Sequence, residues 1–76
     1  MKAREILIGL YLEKNKCWED IYQAIANKEI NLKEETINSV EFQEMCESER
    51  VLTILDENYP ESIRRIYKPP FVLVLW

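Results

Sequence analysis

The chain closes on two short runs that are apolar at nearly every position, VLTIL at 51–55 and FVLVLW at 71–76. Strands wet on one face alternate apolar with polar residues, and a continuous apolar run such as FVLVLW reads as a strand buried on both faces. Such strands need cover. A chain of 76 residues builds one small core at most. The cover has to come from the chain's own helices, from a second copy, or from the rest of a larger assembly.

The residues before these runs have a different texture. Ala3, Ile6, Leu7, Leu10 and Tyr11 recur at helical spacing, and the period predicts a helix over residues 2–15 with Gly9 inside it. Gly at such a position costs about 1 kcal/mol against Ala, so a close packing contact is expected there. The turn EKNKCW leads to a second helix over 18–28, with Trp18, Ile21, Tyr22 and Ile25 on one face. Asn31 followed by Glu34 fits a capping box, which places the next helix near Leu32. The apolar set Leu32, Ile37, Val40 is out of phase with Phe42, Met45, Cys46, and Ser39 can cap a fresh start. Two short helices, or one kinked helix, are expected between 32 and 48.

After VLTIL comes the acidic turn DEN. Pro60 suits the first turn of a short helix, ESIRRI, which KPP then ends. The fold class read from this order is mainly α: a small N-terminal helical bundle over 1–49, then a short β-α-β segment over 50–76 that resembles the start of an α/β domain.

Charge and chemistry narrow the function. The net charge is −4, the wrong sign for a stand-alone binder of nucleic acid. It is unevenly spread: residues 1–58 carry 7 basic against 13 acidic side chains, whereas the rest carries Arg64, Arg65 and Lys68 against Glu61. The three basic residues are the one candidate phosphate-contact cluster, set against a plainly solvated helix face. No His is present, which removes the commonest general base and most zinc sites. Cys17 and Cys46 read as buried small hydrophobes, Glu34–Glu35 as solvated charge at a helix start, and Asp56–Glu57 as a strand-end turn. Trp18, Tyr11 and Tyr22 read as core packing. Neither a catalytic set, a metal site nor a cofactor is expected. Arg4, Glu5 and Glu13 bracket the first apolar run and no cleavage site follows, so no secretory leader is expected, and no run reaches the ~18 apolar residues of a membrane span. The expected setting is the cytoplasm, with reduced thiols.

The closing segment carries a more specific signal. A strand, an acidic turn, Tyr59-Pro60, a short helix with Ile63 and Ile66, then Pro69-Pro70 stepping into Val72 and Leu73 resembles the entry to the conserved domain of the DprA/Smf family of DNA-processing proteins. The helical residues before it suit that family's SAM-like N-terminal module. The resemblance implies an accessory or assembly module attached to the first strands of a Rossmann-like domain. It also implies, for the full-length family, binding of incoming single-stranded DNA and its delivery to RecA in natural transformation. The glycine-rich turn of that domain would lie beyond Trp76, so this sequence lacks the main DNA pocket. A helix-hairpin-helix glycine expected between the first two helices is absent from EKNKCW, which weakens the case for backbone contact to phosphate there. Within this frame Tyr59, Pro60, Pro69 and Pro70 are structural. Val72, Val74 and Trp76 are candidates for self-association as a homodimer through the terminal strands. The alternative is a stand-alone acidic helical adaptor that binds another protein.

Overall fold

The computed structural model describes residues 2–75. About half of the chain is helical, and a two-stranded antiparallel sheet completes it. The order is α1 (Ala3–Glu13), α2 (Trp18–Ala26), α3 (Glu34–Ile37), α4 (Val40–Glu47), β1 (Val51–Thr53), α5 (Glu61–Arg64) and β2 (Val72–Val74). No helix among the described residues is long and apolar enough to cross a membrane.

Helix α1 is the centre of the molecule. Its Leu7 and Ile8 pack with Phe42 of α4, Val51 of β1 and Val72 of β2. On its other side Leu10 packs with Ile21 and Ala24 of α2. Burial of apolar side chains on two faces explains why the helix is broadly hydrophobic instead of carrying one narrow stripe. Gly9 is buried, and a Cβ there would overlap the methyl groups of Leu32. The expected close contact is therefore present: the loop between α2 and α3 presses a leucine against the helix backbone.

Helices α1 and α2 both end with left-handed residues that are not glycine. After α1, Asn15 and Lys16 have φ of 51° and 65°, and Lys16 N–H donates to Tyr11 O at 2.9 Å. After α2, Lys28 has φ of 59°, and Glu29 N–H donates to Ala24 O at 2.8 Å. These bonds satisfy carbonyls the helix itself cannot, in the manner usually supplied by glycine. The turn EKNKCW thus forms without one.

Ser39 begins α4 as its residue type predicts, its Oγ accepting from Phe42 N–H at 3.1 Å. Asn31 does not start α3. The helix begins at Glu34 with Lys33 at its cap position, and Lys33 N–H donates instead to the Glu13 carboxylate at 2.8 Å. Leu32 is half-buried against α1, and its packing fixes the chain path where a capping box would otherwise form.

The strands pair with Val51 opposite Val74, Leu52 opposite Leu73 and Thr53 opposite Val72. Parallel strands need a crossover of a dozen or more residues. Here α5 is a single turn between strands that run antiparallel, so 51–74 folds as a looped hairpin. The expectation that FVLVLW is buried on both faces is corrected: burial falls along β2 from Val72, 5% exposed, to Val74, 38% exposed, with Leu75 at 42%. The helices cover the start of the strand and not its end.

Candidate functional site

The residues singled out between 59 and 70 assemble into a joint that fastens the terminal hairpin to the helices. Prolines 69 and 70 have no N–H to offer a sheet, but their carbonyls still need donors. Two aromatic side chains provide them. Tyr59, 2% exposed, donates its hydroxyl to Pro70 O at 2.6 Å. Trp18, at the start of α2, donates its indole N–H to Pro69 O at 2.8 Å. The Trp18 ring stacks on Tyr22 at 5.2 Å and on Phe71 at 5.1 Å between centroids. Burial pushes the Tyr59 hydroxyl above its ordinary value of 10.0, with the Arg64 charge opposing it, so it stays protonated and remains a donor. Pro60 sits at the cap position of α5, its fixed φ of −61° suiting the entry to the turn.

The basic cluster is largely engaged within the chain. Arg64 Nη2 donates to Asp56 O at 3.0 Å, its guanidinium lies 5.4 Å from the Tyr59 ring centroid, and its Nε stands 3.9 Å from Glu61. Lys68, held in the left-handed region at φ of 59°, pairs with Glu19 on α2 and lies 5.5 Å from the Trp18 ring centroid. The bond to Glu19 raises the Lys68 amine above its ordinary value, so it stays charged. Arg65 is exposed and takes part in none of the side-chain bonds among the described residues. The three therefore do not form one free basic face.

A second joint had no sequence signal. Arg4 of α1 donates Nε to both oxygens of Asp56 at 3.2 and 3.3 Å, Nη1 to Cys46 O at 2.8 Å and Nη2 to Val51 O at 2.9 Å. Asp56 in turn accepts from Thr53 N–H at 2.7 Å and from the Thr53 hydroxyl at 3.2 Å. Desolvation pushes the Asp56 carboxyl up, but the Thr53 amide and Arg4 outweigh it and hold it below its ordinary value of 3.8. Read from sequence, Asp56 was a turn residue and Arg4 a charge before an apolar run. Their partners lie 52 positions apart, beyond the reach of any local pattern.

Several expectations need placing. Cys17 is exposed, which corrects the reading of it as buried; it stands at the cap position before α2, ahead of the first helical turn. Cys46 is half-buried, and burial, followed by the Glu5 charge, raises its thiol pKa. Tyr22 is 49% exposed: its ring covers Trp18 on one side and meets solvent on the other, so it caps the aromatic stack instead of filling the core. Val72 is buried in its own chain's core, Val74 is exposed, and Trp76 lies outside the described residues. Among the described residues no group of three or more His, Cys, Asp or Glu side chains could hold a metal ion.

Compared with known proteins, the chain matches no family model, no curated sequence and no solved structure.

Proposed function

We propose that this chain is an accessory and assembly module of a DprA-like DNA-processing protein, acting in the cytoplasm by binding and not by catalysis. In this reading residues 1–49 are the SAM-like helical part, and 50–76 begin the Rossmann-like domain that carries single-stranded DNA to RecA. The observation that carries the proposal is the aromatic joint. Tyr59, Pro69 and Pro70 are residues on which the family resemblance rests; Tyr59 holds Pro70 from within the hairpin, and Trp18 holds Pro69 from α2. A motif with that job belongs to the framework of a protein, which suits a connecting module.

The electrostatics support a role away from the phosphate backbone. The helical part is acidic, and Arg64 and Lys68 already have partners inside the chain. Affinity for nucleic acid comes mostly from phosphate neutralisation, with a salt slope of about 0.7 per contact on single strands. Arg65 is the residue of the cluster best placed to add such a contact in a longer protein.

The test has two arms. Fluorescence anisotropy with an oligothymidine at low salt is expected to show no submicromolar binding by this chain; tight binding would overturn the accessory role. Calorimetry against the Rossmann-like domain of a DprA-family protein, prepared without its own helical module, is expected to show association. Its absence would overturn the family assignment.

The adaptor reading has one observation in its favour. Ile6, Ile25, Ile30, Ile54, Leu55 and Phe71 line an open, almost wholly apolar groove of about 320 Å³. A protein ligand captured there, with no association in the calorimetric arm, would favour it.

A further inference from the structure

The two outer edges of the sheet are finished differently. Ile54 N–H donates to Phe71 O at 3.0 Å and Leu75 N–H to Arg50 O at 2.7 Å. With the observed register, the bonded pairs are therefore residues 50 with 75, 52 with 73, and 54 with 71. The intervening residues of an antiparallel pair turn their main-chain groups outward. On β1 those groups are all taken. Val51 N–H donates to Ser48 O at 3.4 Å, and Val51 O accepts from Arg4. Thr53 N–H donates to the Asp56 carboxylate, and Thr53 O accepts from Asp56 N–H at 2.9 Å. On β2 the outward groups are those of Val72 and Val74, and no hydrogen bond among the described residues uses them.

We infer that the β2 edge pairs with the β2 edge of a second copy of this chain, antiparallel across a twofold axis, with Val74 opposite its own counterpart. This inference stands on the backbone geometry of this chain alone. The register follows from exposure. Centring the pair on Val74 uses the open half of the strand. It sets the two Val74 side chains together on one face and Leu73 against Leu75 of the other copy on the opposite face. Val74 and Leu75 are among the exposed large hydrophobics of the molecule. The result is one four-stranded sheet whose outer edges are the two closed β1 strands.

Charge favours a second copy as the occupant. Residues 69–75 carry no charge in a chain whose net charge is −4, so the two pairing strands themselves bring no like charges together. Beside Val74 the surface carries Lys16 as well as Glu41 and Glu44, a cation that offsets part of their charge, and added salt screens the rest. Edge pairing of this length buries less than the ~1,200 Å² of a stable complex, so the dimer is reversible and concentration-dependent.

Light scattering and sedimentation across a hundredfold dilution test the inference. The unmodified chain is expected to approach twice 9.2 kDa at the concentrated end, and more readily at high salt. Val74→Lys and Val74→Glu should each be monomeric there, because like charges face each other across the axis. An equimolar mixture of the two should recover the doubled mass. Val74 supplies no bond to β1, so both variants keep the fold, with the near-ultraviolet signal of stacked Trp18 as the check. Should a variant unfold, amide exchange at Val74 of the unmodified chain decides: protection rising about tenfold or more with concentration supports pairing. A monomer at every concentration, a Val74→Lys dimer, or concentration-independent exchange at Val74 would overturn it and leave the edge to a strand of another protein.

Discussion

Two joints hold the terminal hairpin to the helices, and they do the same work with opposite chemistry. At one, Arg4 reaches across the chain and fastens Asp56, Val51 and Cys46 with charge-assisted hydrogen bonds. At the other, Trp18 and Tyr59 fasten Pro69 and Pro70 with neutral hydrogen bonds set in an aromatic stack. The first combines an ion pair with main-chain acceptors in a partly buried place. The second depends on apolar contact and needs no charge. A small chain can thus secure one hairpin against two different stresses: acid attacks the first joint and leaves the second nearly untouched.

The largest effect is expected at the ionic joint. Arg4→Met keeps much of the side-chain volume but leaves Asp56, Cys46 O and Val51 O without their donor. The expected loss is about 2–4 kcal/mol in chemical denaturation. A loss as small as that of a surface substitution would erase the distinction between the joints.

Acid sharpens the same contrast. The Asp56 carboxyl is held below 3.8 in the folded chain, so the unfolded chain takes up this proton more readily. Its contribution is complete above the ordinary carboxylate value, and it is lost as pH falls below that value and through the lower folded one. Denaturation midpoints of the unmodified chain should drop over that range, and the drop should be shallower in Arg4→Met. Parallel curves would show that Arg4 does not set the Asp56 ionisation.

Smaller losses are expected at the aromatic joint. Tyr59→Phe removes one hydroxyl and orphans Pro70 O, for about 1–2 kcal/mol; Trp18→Phe keeps part of the stack and costs about 1 kcal/mol. Neither loss should change between pH 4 and pH 8 (roughly the span between carboxylate and thiol titrations). The smallest effect is reserved for Glu19→Gln. Its pair with Lys68 lies in solvent, and exposed pairs contribute little, so the midpoint should not move measurably. A clear shift there would mean that charge matters at both joints.

The aromatic joint was partly legible in the sequence and the ionic one was not. Pro60 and the Pro69-Pro70 step mark conformations that a chain adopts locally, so the start and stop of the short helix between them are legible there, whereas Tyr59 stands out only through the family resemblance. The donor from Trp18 could not, because it arrives from 51 positions away. Local chemistry also explains why Ser39 was found as a cap and why α1 and α2 began where expected. Asn31 does not cap α3 because tertiary packing of Leu32 over Gly9 outweighs a capping preference worth about 1 kcal/mol. The partial exposure of β2 has another cause: composition reports that a strand is apolar, not how far the helices extend along it.

The place of α1 in the core has a consequence in time. Leu7 and Ile8 are synthesised well before Val51 and Val72, the residues they pack against. During synthesis α2 and α4 can reach the helix first, but the face that meets the hairpin waits until the hairpin has emerged. A factor that shields nascent apolar segments would hold α1 until the hairpin emerges.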